Sequence, residues 1–531
     1  MFKRHKKNLK NLVTEEFHYD YDKLVFQNDE KNTYEKINEN EKYNFLINLI
    51  DKNINDNNLF SNKNLYFINT NEFINKSEYI SKDVIKFAFQ ELKTVLSDFE
   101  DENEKNKDEN KLISLEKNIF NKIMYELYFT NEIQLKYLIL ECLLSLTVDS
   151  VNVTSFFIND KDFFNLLLNL TYIKNKDIVN DIIIIITNCF IDNSKEIYQI
   201  LKDVPINIRL KEIILNNDLH FNDPKFLYNC FELIFVLSNI LNNDELNEEQ
   251  NNFYYNIFSI YLEILKDIIN KGISFKYTNI FVLSLKILKN LSYNNKISSF
   301  IVVYGLGFEL IQILKIPNLE IKYLLKILEI MQNLLVPETN VTYFLNSKIL
   351  DIFNNILYEY INSTNSLSIE IIVLIIINID NIVRGNEEQI NILLSNNIVK
   401  FIINIMKVKK NNQINKECLI LFYDLCCFCS DNDFITVRNL KTFEMFCTFL
   451  DKSSNKDFII YCLHGIIICV ERMNQLFKTY QDLKNEFNYN CGKRNVEKLL
   501  YNKDKEIAAK SAEIYNILSI KNDLEDVDMQ H

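Results

Sequence analysis

A chain of 531 residues, 48% of them apolar, can bury a large core, which excludes a wholly disordered polymer. Six Gly and four Pro leave too few turn-formers for an all-β protein built on tight hairpins. A net charge of −13 argues against general nucleic-acid binding, which needs a basic face, and suits a basic partner.

The 77 Asn and 53 Lys, against 6 Arg and 4 Ala, read as the nucleotide composition of an AT-rich genome and not as chemistry. Residues 1–24 read as a basic flexible segment opening on MFKRHKKNLKNL, which lacks the apolar core of a signal peptide. Residues 25–115 read as an atypical helical N-terminal region. Its helical pattern strengthens near Asp83, and the charge run 99–112 forms a solvated loop. The Ile runs 182–186 and 371–377 fall well short of the roughly 18–20 apolar residues that span a bilayer, so no membrane partner is expected. The eleven Cys are scattered through apolar helical segments, as buried free thiols of a reducing compartment would be.

From about residue 116 to 520, helix-sized apolar segments follow one another with polar breaks. One phrase recurs: an apolar helix ending in Asn and a hydrophobic residue, then a polar turn. It appears as LLSLTVDS, IITNCFIDNS, VLSNILNN, ILKNLSYNN, IMQNLLVPET, NIDNIVRGNEEQ and FYDLCCFCSDND. The anchors are Ser145, Asn188, Asn239, Asn290, Asn333, Asn381 and Asp424, in steps of 43, 51, 51, 43, 48 and 43 residues. A base period of 43, with insertions near 200–220, 242–252 and 356–366, lies in the armadillo and HEAT range. The expected fold is all-α, a right-handed armadillo-repeat superhelical solenoid whose stacked units bury a continuous core and leave a groove. In 280–291, Phe281, Leu285 and Leu288 form an apolar stripe while Lys286 and Asn290 share another face. Repetition of that face predicts a ladder of polar side chains. Residues 521–531 read as an acidic flexible tail.

At these anchors the sequence resembles importin-alpha, the armadillo adapter for cargo with basic nuclear-localisation signals. FVLSN (235–239) is similar to that family's W-x-L-S-N, with Phe235 in the Trp place. NIVRGNEEQINILLSNNI (381–398) follows its run from groove Asn into the next repeat. Gly305 falls at its inter-repeat Gly, and 485–518 and NDLEDVD (522–528) resemble its last repeat and tail. The resemblance implies that Asn188, Asn239, Asn290, Asn333 and Asn381 clamp the backbone of an extended basic cargo segment. It implies that Asp192 and Glu417 meet cargo lysines and that Phe235 packs against a lysine stem. It also implies importin-beta and an export receptor as partners, and residence in cytoplasm and nucleus. The sequence departs from the family at the groove Trp positions, which hold Glu141, Ile184, Phe235, Lys286, Glu329, Ile377 and Ile420. The alternative is a non-transport armadillo scaffold with altered peptide specificity.

Competing chemistry is weak. Cys426, Cys427 and Cys429 contain a C-x-x-C spacing without a second pair or a nearby His, so buried structural thiols are expected there. His464 sits in an apolar helix as a core residue. With no catalytic triad and no Gly-rich phosphate loop, neither an enzyme nor a cofactor is expected.

Overall fold

The computed structural model describes residues 127, 130 and 132–528, with short breaks at 150, 194–195, 216–222, 243–246, 272–276, 364–365, 451–454, 478–480 and 491. The expectations for 1–24 and 25–115 lie outside the described residues. The chain divides into two compact units, Met1–Ile240 and Leu241–His531.

In the first unit the described helices are α1 (Ile133–Asp149), α2 (Val151–Ile158), α3 (Lys161–Leu170), α4 (Lys176–Asp192), α5 (Ile197–Asp203), α6 (Ile206–Leu215) and α7 (Pro224–Ser238). The long helices α1, α4 and α7 pack side by side, α1 on α4 and α4 on α7, with shorter helices between them in the chain. The second unit repeats this plan. It contains α8 (Glu248–Ser259), α9 (Leu262–Lys271), α10 (Thr278–Ser292), α11 (Asn295–Val303), α12 (Leu306–Leu314), α13 (Ile321–Leu334), α14 (Glu338–Asn346), α15 (Ile349–Tyr360) and α16 (Leu367–Val383). It continues with α17 (Glu387–Ser395), α18 (Ile398–Lys409), α19 (Asn412–Phe428), α20 (Asp431–Asn439), α21 (Thr442–Leu450), α22 (Lys456–Phe477), α23 (Gln481–Tyr489), α24 (Gly492–Leu499) and α25 (Lys505–Asp528). Every third helix from α10 to α25 packs on the next, so six inner helices form one layer. Two shorter helices and one long one per repeat, at the period seen in the sequence, make this an all-α armadillo-type repeat fold.

The inner helices are apolar nearly all round because neighbours cover both flanks. In α16, Ile371, Ile372, Ile375, Ile376, Ile379 and Ile382 are all 0% exposed. Branched side chains are modest helix formers, but burial at about 1.5–3 kcal/mol per side chain overrides that. Helix starts use the abundant Asn and Asp. Asp160, Asn175, Asp223, Asn294 and Asn411 accept backbone N–H bonds of the first turn, and Asn247 with Gln250 and Asn386 with Gln389 form capping boxes.

The turn between the two short helices of a repeat needs a left-handed residue in three places: Gly305 (φ 86°), Lys348 (φ 62°) and Lys441 (φ 65°). Gly adopts that conformation without strain, which explains Gly305. The last helix, α25, runs to Asp528.

Gly465 marks a close approach between helices. A Cβ there would lie 2.5 Å from the ring of Phe446, itself fully buried under α22. Gly465→Ala is expected to cost about 1–3 kcal/mol, because the ring has no room to move. Denaturant unfolding of the full chain checks this, and an unchanged midpoint would contradict it.

Candidate functional site

The anchors fall where the period puts them, in the last turn of an inner helix or, for Asn239, at the C-cap of α7. What they touch differs. Asn188 is 1% exposed, and its Nδ2 donates to Thr147 Oγ1 on α1 at 3.2 Å. Asn333 Nδ2 donates to Ser292 Oγ on α10 at 2.8 Å, and Asn381 Nδ2 donates to the Gln332 carbonyl on α13 at 2.7 Å. Asn290 is buried, while Phe235, Asn239, Asn333 and Asn381 are half-buried. Three of the five amides therefore donate across the seam to the preceding inner helix. Asn188 faces that seam and not the open surface, whereas the half-buried anchors border the open face.

The same stitching recurs away from the anchors. Asn229 donates to Asn180, Asn294 to Asn251, Asn340 to Ser298, Asn354 to Asn396 and Asn378 to the Leu328 carbonyl, each about one repeat apart. Arginine, rare in this chain, is concentrated at the same junctions. Arg209 donates to the Thr171 carbonyl and hydroxyl, and Arg438 to Glu486. Arg472 donates to the carbonyls of Cys426 and Cys429 and to Asp431. The planar, multi-donor guanidinium suits the exposed carbonyls of a neighbouring helix end. These arginines were not singled out in the sequence; their scarcity beside Lys was the available signal.

The open face of the second unit is set by half-buried or exposed positions at helical spacing: Lys286 and Lys289 on α10, Lys326 and Glu329 on α13, Leu374, Ile377 and Asn381 on α16, Ile420 and Tyr423 on α19, and Tyr461 and His464 on α22. Several carboxylates of this face are met within the protein. Glu329 Oε2 lies 3.1 Å from Lys289 Nζ and 2.8 Å from Lys326 Nζ. Burial alone would raise the Glu329 carboxyl, but the two lysines hold it below its ordinary value. Asp424 and Asp380 share Arg384, each at 2.8 Å. Glu417 is half-buried, and burial raises its carboxyl. The backbone of Asp192 closes α4, but its side chain lies outside the described residues. At the Trp places of the first unit, Glu141 and Ile184 are buried.

Cys426 Sγ and Cys469 Sγ lie 3.7 Å apart in the core between α19 and α22. Their mutual hydrogen bond and burial hold the Cys426 thiol well above its ordinary value, and burial pushes Cys429 up to about 12. Such thiols are protonated packing groups. Among the described residues no group of three His, Cys, Asp or Glu could hold a metal ion, and no single helix is long and apolar enough to cross a membrane.

No protein-family model matches the chain, and no curated protein matches it. Among solved structures, an engineered protein matches with TM-score 0.61 at 11% identity, over 91% of this chain and 99% of its own. A designed armadillo-repeat protein matches with TM-score 0.39 at 12% identity, over 48% of this chain and 100% of its own. A second designed armadillo-repeat protein, in complex with the peptide (KR)4, matches with TM-score 0.40 at 13% identity, over 48% and 99%. At these identities the first likeness is one of fold. Together with the three-helix repeat, it makes the chain an all-α repeat protein of the armadillo type.

Two outcomes follow from the seam. Asn188→Ala is expected to lower stability by about 1–2 kcal/mol, since it strips a buried hydroxyl of its donor; an unchanged unfolding midpoint would contradict this. Burial and the neighbouring Asp424 charge push the Asp380 carboxyl up to about 7. A carboxyl raised in the fold stabilises fully below its unfolded value, and that contribution is lost as pH rises through its folded one. Asp380→Asn should therefore melt close to the unsubstituted protein at about pH 5 and above it at about pH 8. Parallel melting profiles across this window would contradict the assignment.

Proposed function

We propose that the protein is a protein-interaction adapter that acts by binding alone, holding an extended segment of a partner protein along the open face of its inner helices. The observation that carries this reading is the register of the six inner helices in the second unit. Each packs on the next, and from α10 to α22 their half-buried residues recur from helix to helix along one face. An extended chain suits such a strip because its side chains recur at regular intervals. Asn333 and Asn381 lie at or beside it, and a carboxamide that donates one N–H across a seam, as each of these does, has a second N–H and a carbonyl to offer a ligand.

The importin-alpha resemblance supplies the finer form of this reading: carriage of cargo between cytoplasm and nucleus, with importin-beta and an export receptor as partners. Two observations favour the scaffold alternative with altered specificity over a conventional basic signal. Of the seven places where tryptophans would sandwich lysine stems, three hold isoleucine (Ile184, Ile377 and Ile420), two glutamate (Glu141 and Glu329) and one Lys286. The acidic groups Glu329, Asp380 and Asp424 are already paired with the protein's own cations.

The double substitution Asn333→Ala with Asn381→Ala is expected to weaken capture of an extended peptide at a temperature where the chain remains fully folded; unchanged capture would contradict the reading. The carrier form has its own test. A pull-down comparing the full chain with one lacking residues 1–24, probed with importin-beta, should lose importin-beta with the deletion. Equal recovery, or none from either, would leave the scaffold reading.

A further inference from the structure

One outer corner of the second unit is apolar where its counterparts are polar. In the repeats that begin at α14, α17 and α20, the turn between the two short helices is flanked by Asn346, Ser395 and Asn439 on one side and by Asp351, Lys400 and Glu444 on the other. All six are exposed or half-buried. At the turn between α11 and α12 the same two places hold Val303 and Phe308, 79% and 50% exposed. A single exposed apolar side chain is ordinary, but a cluster of them marks a contact surface.

The apolar surface continues along α11. The Tyr304 ring lies 5.2 Å from that of Phe300, and Phe300 lies 5.3 Å from Tyr255 on α8. Tyr255 borders a hollow of about 450 Å³, lined also by Asn295, Lys296 and Ser299 of α11 and by Val336 and Pro337 of the turn between α13 and α14. Asn295, Ser299 and Val303 follow one another at four-residue steps, so the hollow and the projecting Val303 share one face of α11, with about 6 Å along the axis from Ser299 to Val303. A projection and a hollow on the same face make that face complementary to itself, as a two-fold contact requires. Its charges are balanced as well. Lys266 beside Gly305 and Lys296 in the hollow offset Glu309 and Glu338, the neighbours of Phe308 and Pro337. A chain of net charge −13 repels its own copies, and a near-neutral apolar corner is where that repulsion is weakest.

We propose that two copies of the chain associate through this corner, their α11 helices crossing antiparallel at Ser299 so that Val303 of each copy enters the hollow of the other. A residue on a two-fold axis meets its own counterpart, and the small Ser299 side chain lets the two helices approach closely. Val303 then packs against Tyr255, Val336 and Pro337, while Tyr304 and Phe308 widen the apolar contact beyond the hollow. The contact uses no residue of the inner-helix strip, so it goes beyond the adapter reading and stands or falls apart from it. The pair presents two strips, and a partner carrying two matching segments gains by engaging both.

Sedimentation velocity of the full chain over a micromolar concentration range tests this. The sedimenting mass should rise from one chain to two with concentration. Val303→Asp should raise the dissociation constant about tenfold or more by placing a carboxylate in an apolar hollow, with the melting temperature unchanged because the position is exposed in the single chain. Under mild oxidation Ser299→Cys should give a disulfide-linked dimer on a non-reducing gel. Asn346→Cys, at the Val303 place one repeat on, should give none. A chain that stays monomeric throughout overturns the proposal and leaves the corner to a partner of another kind. A dimer unmoved by Val303→Asp, or one without the Ser299→Cys link, has its contact elsewhere and overturns it equally. Species that grow beyond two copies would mean that projection and hollow meet head to tail without closing, which also contradicts a two-fold contact.

Discussion

The structure depends on burying each inner helix between two others. That burial removes the polar groups of the helix ends from water, and an unmade hydrogen bond there costs about 1–3 kcal/mol. The chain answers with short carboxamides that reach one repeat back: Asn188 to Thr147, Asn333 to Ser292, Asn381 to the Gln332 carbonyl. Each bond is modest, but each is a polar tie among apolar contacts that slide easily. Such ties set the register between helices, much as a buried polar residue sets register in a coiled coil. Stacked repeats share stability with their neighbours, so a tie at one seam supports the units on both sides.

Register in turn creates the surface. Because the inner helices stack in step, their outward positions align into a strip whose chemistry is read across helices. The lysine group around Glu329 draws on α10 and α13, and the Asp380–Arg384–Asp424 group on α16 and α19. Neither group exists within one helix. Both convert carboxylates that could attract a basic ligand into internal ion pairs.

Much of the fold was legible in the sequence because a recurring helix-ending phrase marks the period whatever its residues do. The Asn and hydrophobe at Asn188, Asn290 and Asn381 located the last turns of α4, α10 and α16. The direction of those side chains was less legible. In a helix that is apolar on nearly all sides, no moment distinguishes a polar residue aimed at a seam from one aimed at solvent, so Asn188 and Asn333 look alike in sequence and differ in burial. The local charge of the face was hard to read for a related reason: net charge covers the whole chain, but the pairs that decide the local field lie about 40 residues apart, as Lys289 with Glu329 and Arg384 with Asp424 do. The loss of the Trp positions and the residues that replace them were plain from the sequence; the structure adds their pairing, as where Lys289 and Lys326 both meet Glu329.

The central claim is that the last-turn amides hold repeat to repeat in register. A double-mutant cycle on Asn333 and Ser292, read as unfolding free energy of the full chain, measures that tie directly. A coupling of about 0.5–1.5 kcal/mol between Asn333→Ala and Ser292→Ala is the expected result. Additive effects, with no coupling between the two, would show that the amides do not stitch the stack and would contradict the account.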